Sequence, residues 1–126
     1  MKRSHGIMIF GAAGRMGQAV AERVARAEDL HIAAEIFNPS SEQDNHDQYE
    51  TALYEGAEMA DLIIDFSRHD ALDKLVKVAT QTSTPLVCGT TGFNEAQKLS
   101  LIQAANSIPL FYSPNMSVGV QVMCQL

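Results

Sequence analysis

Gly6-Ile7-Met8-Ile9-Phe10-Gly11-Ala12-Ala13-Gly14-Arg15-Met16-Gly17 is the stretch that decides the fold. An apolar run enters three glycines spaced GxxGxxG, and Arg15–Arg26 then sets Met16, Val20, Val24 and Ala27 at helical spacing. An unbroken apolar run of this length reads as a strand covered on both faces, and the following periodicity as a helix. The junction has its own mechanics. Gly11 permits a tight turn, Gly14 lets the backbone approach a bound group with no Cβ in the way, and Gly17 lets the helix pack closely on the strand. The free N–H groups and positive dipole end of the helix favour an anion. The pattern is a variant of the dinucleotide fingerprint, with Gly11, Ala12, Ala13, Gly14, Arg15 and Met16 as candidate binding residues. It is not a P-loop: GxxxxGK[ST] is absent, and no lysine follows Gly17 before Lys74.

Outward from this junction the alternation repeats. His31–Phe37, Leu62–Phe66, Pro85–Cys88 and Pro109–Tyr112 read as further strands. Between them, Asp70–Thr80 carries Leu72, Leu75, Val76 and Ala79 at helical spacing, and Asn94–Ala105 carries Leu99 and Ile102. Ser67 reads as an N-cap, and Asn94 with Gln97 as a capping box. Asn38–Gln48 is the one long loop, with a short helix expected over Gln48–Glu55. Strand–helix alternation implies right-handed crossovers and an α/β fold: a doubly wound, Rossmann-type parallel sheet of about five strands, order 3-2-1-4-5.

The 126 residues fit one domain, 1–126, with 46% hydrophobic and 19% charged residues, so a folded core is expected. A net charge of −6 argues against nucleic acid or an anionic membrane as the main partner. No apolar run is long enough to span a bilayer. The start superficially imitates a signal peptide, but Gly14-Arg15 interrupts it. Cys88 and Cys124 form no CxxC or Cys/His cluster and suit a reducing cytosol, so the expected location is cytoplasmic.

In a doubly wound sheet, ligands sit outside the carboxyl ends of the strands. The second strand reaches Glu35, about twenty residues past the glycines, where a carboxylate accepts hydrogen bonds from an adenosine ribose. Asp65-Phe66-Ser67, Gly89-Thr90-Thr91-Gly92-Phe93 and Ser113-Pro114-Asn115-Met116-Ser117 follow the later strands. Short polar side chains and glycines on one rim suit a nicotinamide ribose and carboxamide; taken singly, each suits helix capping. His5 and His31 read as strand starts and His46 and His69 as solvated, with no metal spacing. Asp61 and Asp65, about 13 Å apart along a strand, are too distant for joint acid–base work. Asp65 reads as a strand-end hydrogen-bonding group and Cys88 as a packed thiol.

In the order GAAGRMG, IDFS, VCGTTGF, PNMSVGV, the chain resembles the cofactor domain of the dihydrodipicolinate reductase (4-hydroxy-tetrahydrodipicolinate reductase) family from about Ile7 to its last residue. The resemblance implies an NADH- or NADPH-dependent oxidoreductase of diaminopimelate and lysine biosynthesis, passing hydride to a cyclic dicarboxylate. Gly11 through Met16 would hold the pyrophosphate and adenosine side, and Glu35 the adenosine ribose. Phe66 and Ser67 would flank the cofactor. Gly89, Thr90 and Thr91 would line the nicotinamide end, with Thr91 also near the substrate. Ser113, Pro114, Asn115 and Met116 would close over the nicotinamide where two domains meet.

Two departures matter. Family members often carry a basic residue after the ribose-binding acid, whereas Ile36 and Phe37 stand here, which favours NADH. The family's His-rich stretch and Lys-x-Asp-x-Pro-Ser-Gly-Thr motif, which bind the dicarboxylate and donate a proton, are not in these residues, so no catalytic residue is assigned. The apolar ending Ser117–Leu126 reads as a chain cut within an element of a longer protein; a final docked helix is the alternative. On the first reading a substrate domain would bring the dicarboxylate and any oligomer. Two other classes stay open: a free-standing NAD-sensing module without turnover, and a CoA- or nucleotide-binding domain of a ligase, against which Glu35 argues.

Overall fold

The computed structural model describes residues 3–37 and 46–113. Five strands, β1 (His5–Phe10), β2 (Leu30–Ile36), β3 (Leu62–Asp65), β4 (Leu86–Cys88) and β5 (Leu110–Tyr112), form one parallel sheet. Between them run α1 (Arg15–Arg26), α2 (His46–Met59), α3 (Leu72–Thr82, after a 3₁₀ turn at His69–Ala71) and α4 (Glu95–Ala104). The α/β class, the parallel sheet and the strand count are as the alternation implies. The helix expected over Gln48–Glu55 is longer, spanning His46–Met59.

The strand order is β2-β1-β3-β4-β5, which corrects the expected 3-2-1-4-5. After β2 the chain returns across β1, and β3 pairs with the other side of β1, Ile7 opposite Leu62 through Phe10 opposite Asp65. Burial explains the choice. β3 is apolar along Leu62–Ile64 and suits an interior place, whereas β2 leaves His31 and Glu35 exposed and suits an edge. Alternation alone does not carry this direction.

Reversing direction at β1 places helices on opposite faces. Ile7 and Ile9 pack with Ala12, Val20, Ala21 and Val24 on the α1 face. Met8 and Phe10 pack with Leu53 and Ala57 of α2, Leu72, Leu75 and Ala79 of α3 and Leu101 of α4 on the other. β1 is therefore apolar on both faces, with Ile7 through Phe10 no more than 2% exposed.

Helix α4 corrects a second expectation. Leu101 and Ala104 are buried, in line with buried Ile108, while Leu99 and Ile102 face solvent at 58% and 64% exposure. Two apolar stripes compete in this short segment, and 101/104/108 continues into the chain that leads to β5. The capping box forms: the Gln97 amide donates to Asn94 Oδ1 at 2.8 Å and the Asn94 amide to Gln97 Oε1 at 2.9 Å. Ser67 is not a cap. Arg68 occupies the N-cap of the 3₁₀ turn, and the Ser67 hydroxyl turns to Asp65 instead.

Candidate functional site

The strand order reverses at β1, the point where open α/β sheets take their ligands outside the carboxyl ends of the strands, and the glycine loop follows β1 there. Gly11 has φ +86°, and a Cβ there would meet the Phe66 carbonyl at 2.6 Å, so β3 can approach the turn only because residue 11 is glycine. A Cβ at Gly17 would lie 2.2 Å from the Gly11 oxygen, so the helix could not close on the strand. Gly14 differs. Its φ of −74° and ψ of 169° are open to any residue, and a Cβ would meet nothing nearer than the Gly11 oxygen at 3.7 Å. Nothing in the fold demands glycine at 14, and the space beside it is free.

The Gly11 and Ala12 amides donate to the Ile36 carbonyl at 2.9 and 3.2 Å, tying the loop to the end of β2 and setting Glu35 beside it. Ala13, Gly14, Arg15, Met16 and Glu35 are exposed. The N-terminus of α1 has no side-chain cap and no acid in its first turn, whereas α4 has both. The first amides of α1 are thus left as donors beside the carboxyl end of β1.

Beyond β3 the rim is bound together by Asp65, 1% exposed. Its Oδ1 accepts from the Ser67 amide at 2.9 Å and the Ser67 hydroxyl at 2.5 Å. Its Oδ2 accepts from the Thr90 hydroxyl at 2.9 Å and the Cys88 thiol at 3.3 Å. The Phe66 ring lies against Gly89, where a Cβ would come within 2.3 Å of it. The Ser113 amide donates to the Cys88 carbonyl at 3.1 Å, so the end of β5 joins the same rim. Thr90 is buried, Thr91 exposed, and Ser67 and Ser113 half-buried.

The ordinary carboxyl-rim donors are joined by two groups of unusual titration. Burial pushes the Cys88 thiol well above its usual value, and the Asp65 charge adds to this, so Cys88 is a packed thiol and no nucleophile. Tyr49 is pushed up to about 12 by burial and then by the charges of Asp65 and Asp70. Its hydroxyl is the one buried side-chain polar atom without a hydrogen-bond partner among the described residues.

Residues 5–116 match the family model for the dihydrodipicolinate reductase N-terminus. The chain belongs to this family. It is 37% identical over 123 residues to the 4-hydroxy-tetrahydrodipicolinate reductase of Xanthomonas campestris pv. campestris (strain B100), covering 95% of this chain and 52% of that one. With the Rickettsia rickettsii (strain Sheila Smith) reductase the figures are 36% over 120 residues, 95% and 47%. The chain spans about half the length of the curated relatives it matches. Among solved structures, dipicolinate-bound dihydrodipicolinate reductase from Paenisporosarcina sp. TG-14 superposes with a TM-score of 0.69 at 21% identity, covering 95% of this chain and 51% of that one. A saccharopine dehydrogenase from Saccharomyces cerevisiae superposes at 0.65 and 15% identity, covering 90% and 28%. These two likenesses establish the fold.

The structure of this dihydrodipicolinate reductase-family chain brings Gly11, Ala12, Ala13, Gly14, Arg15, Met16, Glu35, Phe66, Ser67, Gly89, Thr90, Thr91 and Ser113 to the carboxyl-end rim of one sheet. Pro114, Asn115, Met116 and the ending Ser117–Leu126 lie outside the described residues. So does most of the Asn38–Gln48 loop. Asp65 is the strand-end hydrogen-bonding group that its place implies; what the sequence does not show is that its bonds reach Cys88 and Thr90 on the next strand as well as Ser67. The sequence reading passed over Arg68, an exposed cation just past β3, 3.7 Å from Asp70. Among the described residues no group of His, Cys, Asp or Glu is placed to hold a metal ion, and no helix is long and apolar enough to cross a membrane.

Proposed function

We propose that this chain binds a reduced nicotinamide dinucleotide along the carboxyl rim, as the cofactor-holding part of a reductase acting on an unsaturated cyclic dicarboxylate. One observation carries the reading: α1 begins at an uncapped glycine whose missing side chain the fold does not need. Glycine at 14 is explained by a bound anion that must come close to the backbone, and the amides of the first turn are the donors it would meet. The residues present therefore fit the pyrophosphate.

When bound, the dinucleotide supplies the hydride. The chain's residues bind and orient. Gly14, Arg15 and Met16 hold the phosphates, and Glu35 accepts from the adenosine ribose hydroxyls. Phe66, Gly89 and Thr91 border the nicotinamide end, where Phe66 gives an apolar wall and the backbone at Gly89 comes close. Ser113 stands at the next strand end, with Pro114, Asn115 and Met116 following it in the chain. The family relatives are named for the reduction of 4-hydroxy-tetrahydrodipicolinate, and that substrate is proposed here. NADH is the proposed cofactor over NADPH, because Glu35 would repel a 2′-phosphate.

Calorimetric titration with NADH, NADPH, ADP-ribose and coenzyme A tests the reading. Micromolar binding of NADH and weaker binding of coenzyme A are expected. Tighter binding of coenzyme A would replace the dinucleotide reading with a ligase-type one.

A further inference from the structure

Asp65 is a buried carboxylate whose four hydrogen bonds all come from the two segments that border the rim. Two donors belong to Ser67, after β3; one is Cys88 at the end of β4 and one is Thr90 just past it. An ionised carboxylate offers about four acceptor sites, so this set fills it. The main chain repeats the tie, since the Gly89 amide donates to the Asp65 carbonyl at 2.8 Å. The contact held between these bonds is Phe66 against Gly89, so close that a Cβ at residue 89 would overlap the ring.

A carboxylate only accepts. It therefore fixes the direction of both hydroxyls: Ser67 and Thr90 each spend their proton inward and keep only acceptor capacity for anything else. A fully satisfied buried network of this kind holds one arrangement, and a partly satisfied one does not.

We propose that Asp65 is a positioning residue for the nicotinamide half of the dinucleotide, holding Phe66–Ser67 and Gly89–Thr91 at the separation that half requires and fixing Ser67 and Thr90 as acceptors. The proposal rests on the dinucleotide reading of the rim. Asp65 itself is buried beneath these groups and acts through them.

Asparagine at 65 keeps the shape and changes the polarity. The Ser67 amide cannot reverse, so the asparagine oxygen must take the Oδ1 place. Its NH2 then faces the Thr90 hydroxyl and the Cys88 thiol. Thr90 must turn round to accept, and its proton points elsewhere. The adenosine half, held at Gly14–Met16 and Glu35, stands apart from this change. The two halves of the ligand thus separate a positioning role from general loosening of the fold.

The test uses the 126-residue chain, with NADH and ADP-ribose titrated against wild type, Asp65→Asn, Thr90→Val and Thr90→Ser. Asp65→Asn is expected to weaken NADH about tenfold while ADP-ribose changes less than about twofold. Thr90→Val should weaken NADH selectively and Thr90→Ser should restore it. Without ligand, the Ser67 amide should exchange with solvent faster in Asp65→Ala than in wild type, and stay slow in Asp65→Asn. An equal loss for both ligands, or no loss of NADH binding in Asp65→Asn, overturns the proposal and leaves the dinucleotide reading standing. A wild type that binds neither ligand refutes that reading and the positioning role with it. Should Asp65→Ala fail to fold, the Asn and Thr90 variants decide.

Discussion

Gly14→Val separates a glycine needed for binding from one needed for folding. At position 14 the backbone is extended, which a β-branched residue accepts readily, and a Cβ has 3.7 Å to its nearest neighbour. The change should cost about 1 kcal/mol or less, because valine is a poorer N-cap than glycine while its stiffening of the unfolded chain offsets part of that loss. Binding should respond differently. The valine methyls would occupy the free space beside the first amides of α1. Losing two charge-assisted hydrogen bonds to phosphate costs about 3 kcal/mol, more than a hundredfold in Kd. Gly17→Val is the counterpart. Its Cβ would sit 2.2 Å from a backbone oxygen and 2.8 Å from the Ala12 Cα, neither of which can swing aside. A destabilisation of about 3 kcal/mol and a fall of roughly 10 °C in Tm are expected. Calorimetric titration with NADH and thermal unfolding of both variants give the comparison. A Gly14→Val protein that binds NADH as tightly as wild type, or that unfolds as easily as Gly17→Val, would refute the assignment.

Three further outcomes are expected. NADH should bind more tightly than NADPH, and Glu35→Ala should weaken NADH by about 1 kcal/mol while narrowing the gap; equal affinities at low salt would show that Arg15 compensates for the Glu35 charge. Tyr49→Phe removes a buried hydroxyl with no hydrogen-bond partner among the described residues and should raise stability by up to about 1 kcal/mol in thermal unfolding. Because folding raises the Tyr49 pKa from 10.0 to about 12, its contribution is complete below pH 10 and lost as pH rises through about 12. Urea midpoints across that range should therefore fall less steeply for Tyr49→Phe, which keeps the shares of Cys88 and Tyr54 but loses its own. On α4, Leu99→Lys should change stability by less than about 0.5 kcal/mol and Leu101→Lys should cost about 3 kcal/mol or more, the reverse of what the 99/102 spacing implies.

The parts of this fold written into local sequence were legible. Ile7–Phe10 is apolar on both faces because both faces are covered, and Gly11 and Gly17 sit where a Cβ would strike backbone. The Asn94–Gln97 box forms as its residues imply. Strand order was not legible, because the path of the chain after Ile36 depends on whether β2 or β3 tolerates an edge. That is settled by the exposure of His31 and Glu35 against the burial of Ile63 and Asp65. The buried stripe of α4 was misread because Leu99, Leu101, Ile102 and Ala104 offer two spacings, and only the packing of Ile108 chooses between them. At the site, the rim residues were found from strand ends. The bonds that join them through Asp65 span 23 and 25 residues and leave no local pattern.

On the proposed reading one dinucleotide lies across the rim from Gly14 to the end of β5. Two-dimensional ¹H–¹⁵N NMR of the 126-residue chain titrated with NADH tests it most directly. Saturable shifts are expected in the amides of Gly14–Gly17, Glu35, Phe66–Ser67, Gly89–Thr91 and Ser113, with the amides of α2 and α3 away from the rim unmoved. Shifts centred on the α2–α3 face, or no saturable shift at Gly14–Gly17, would contradict it.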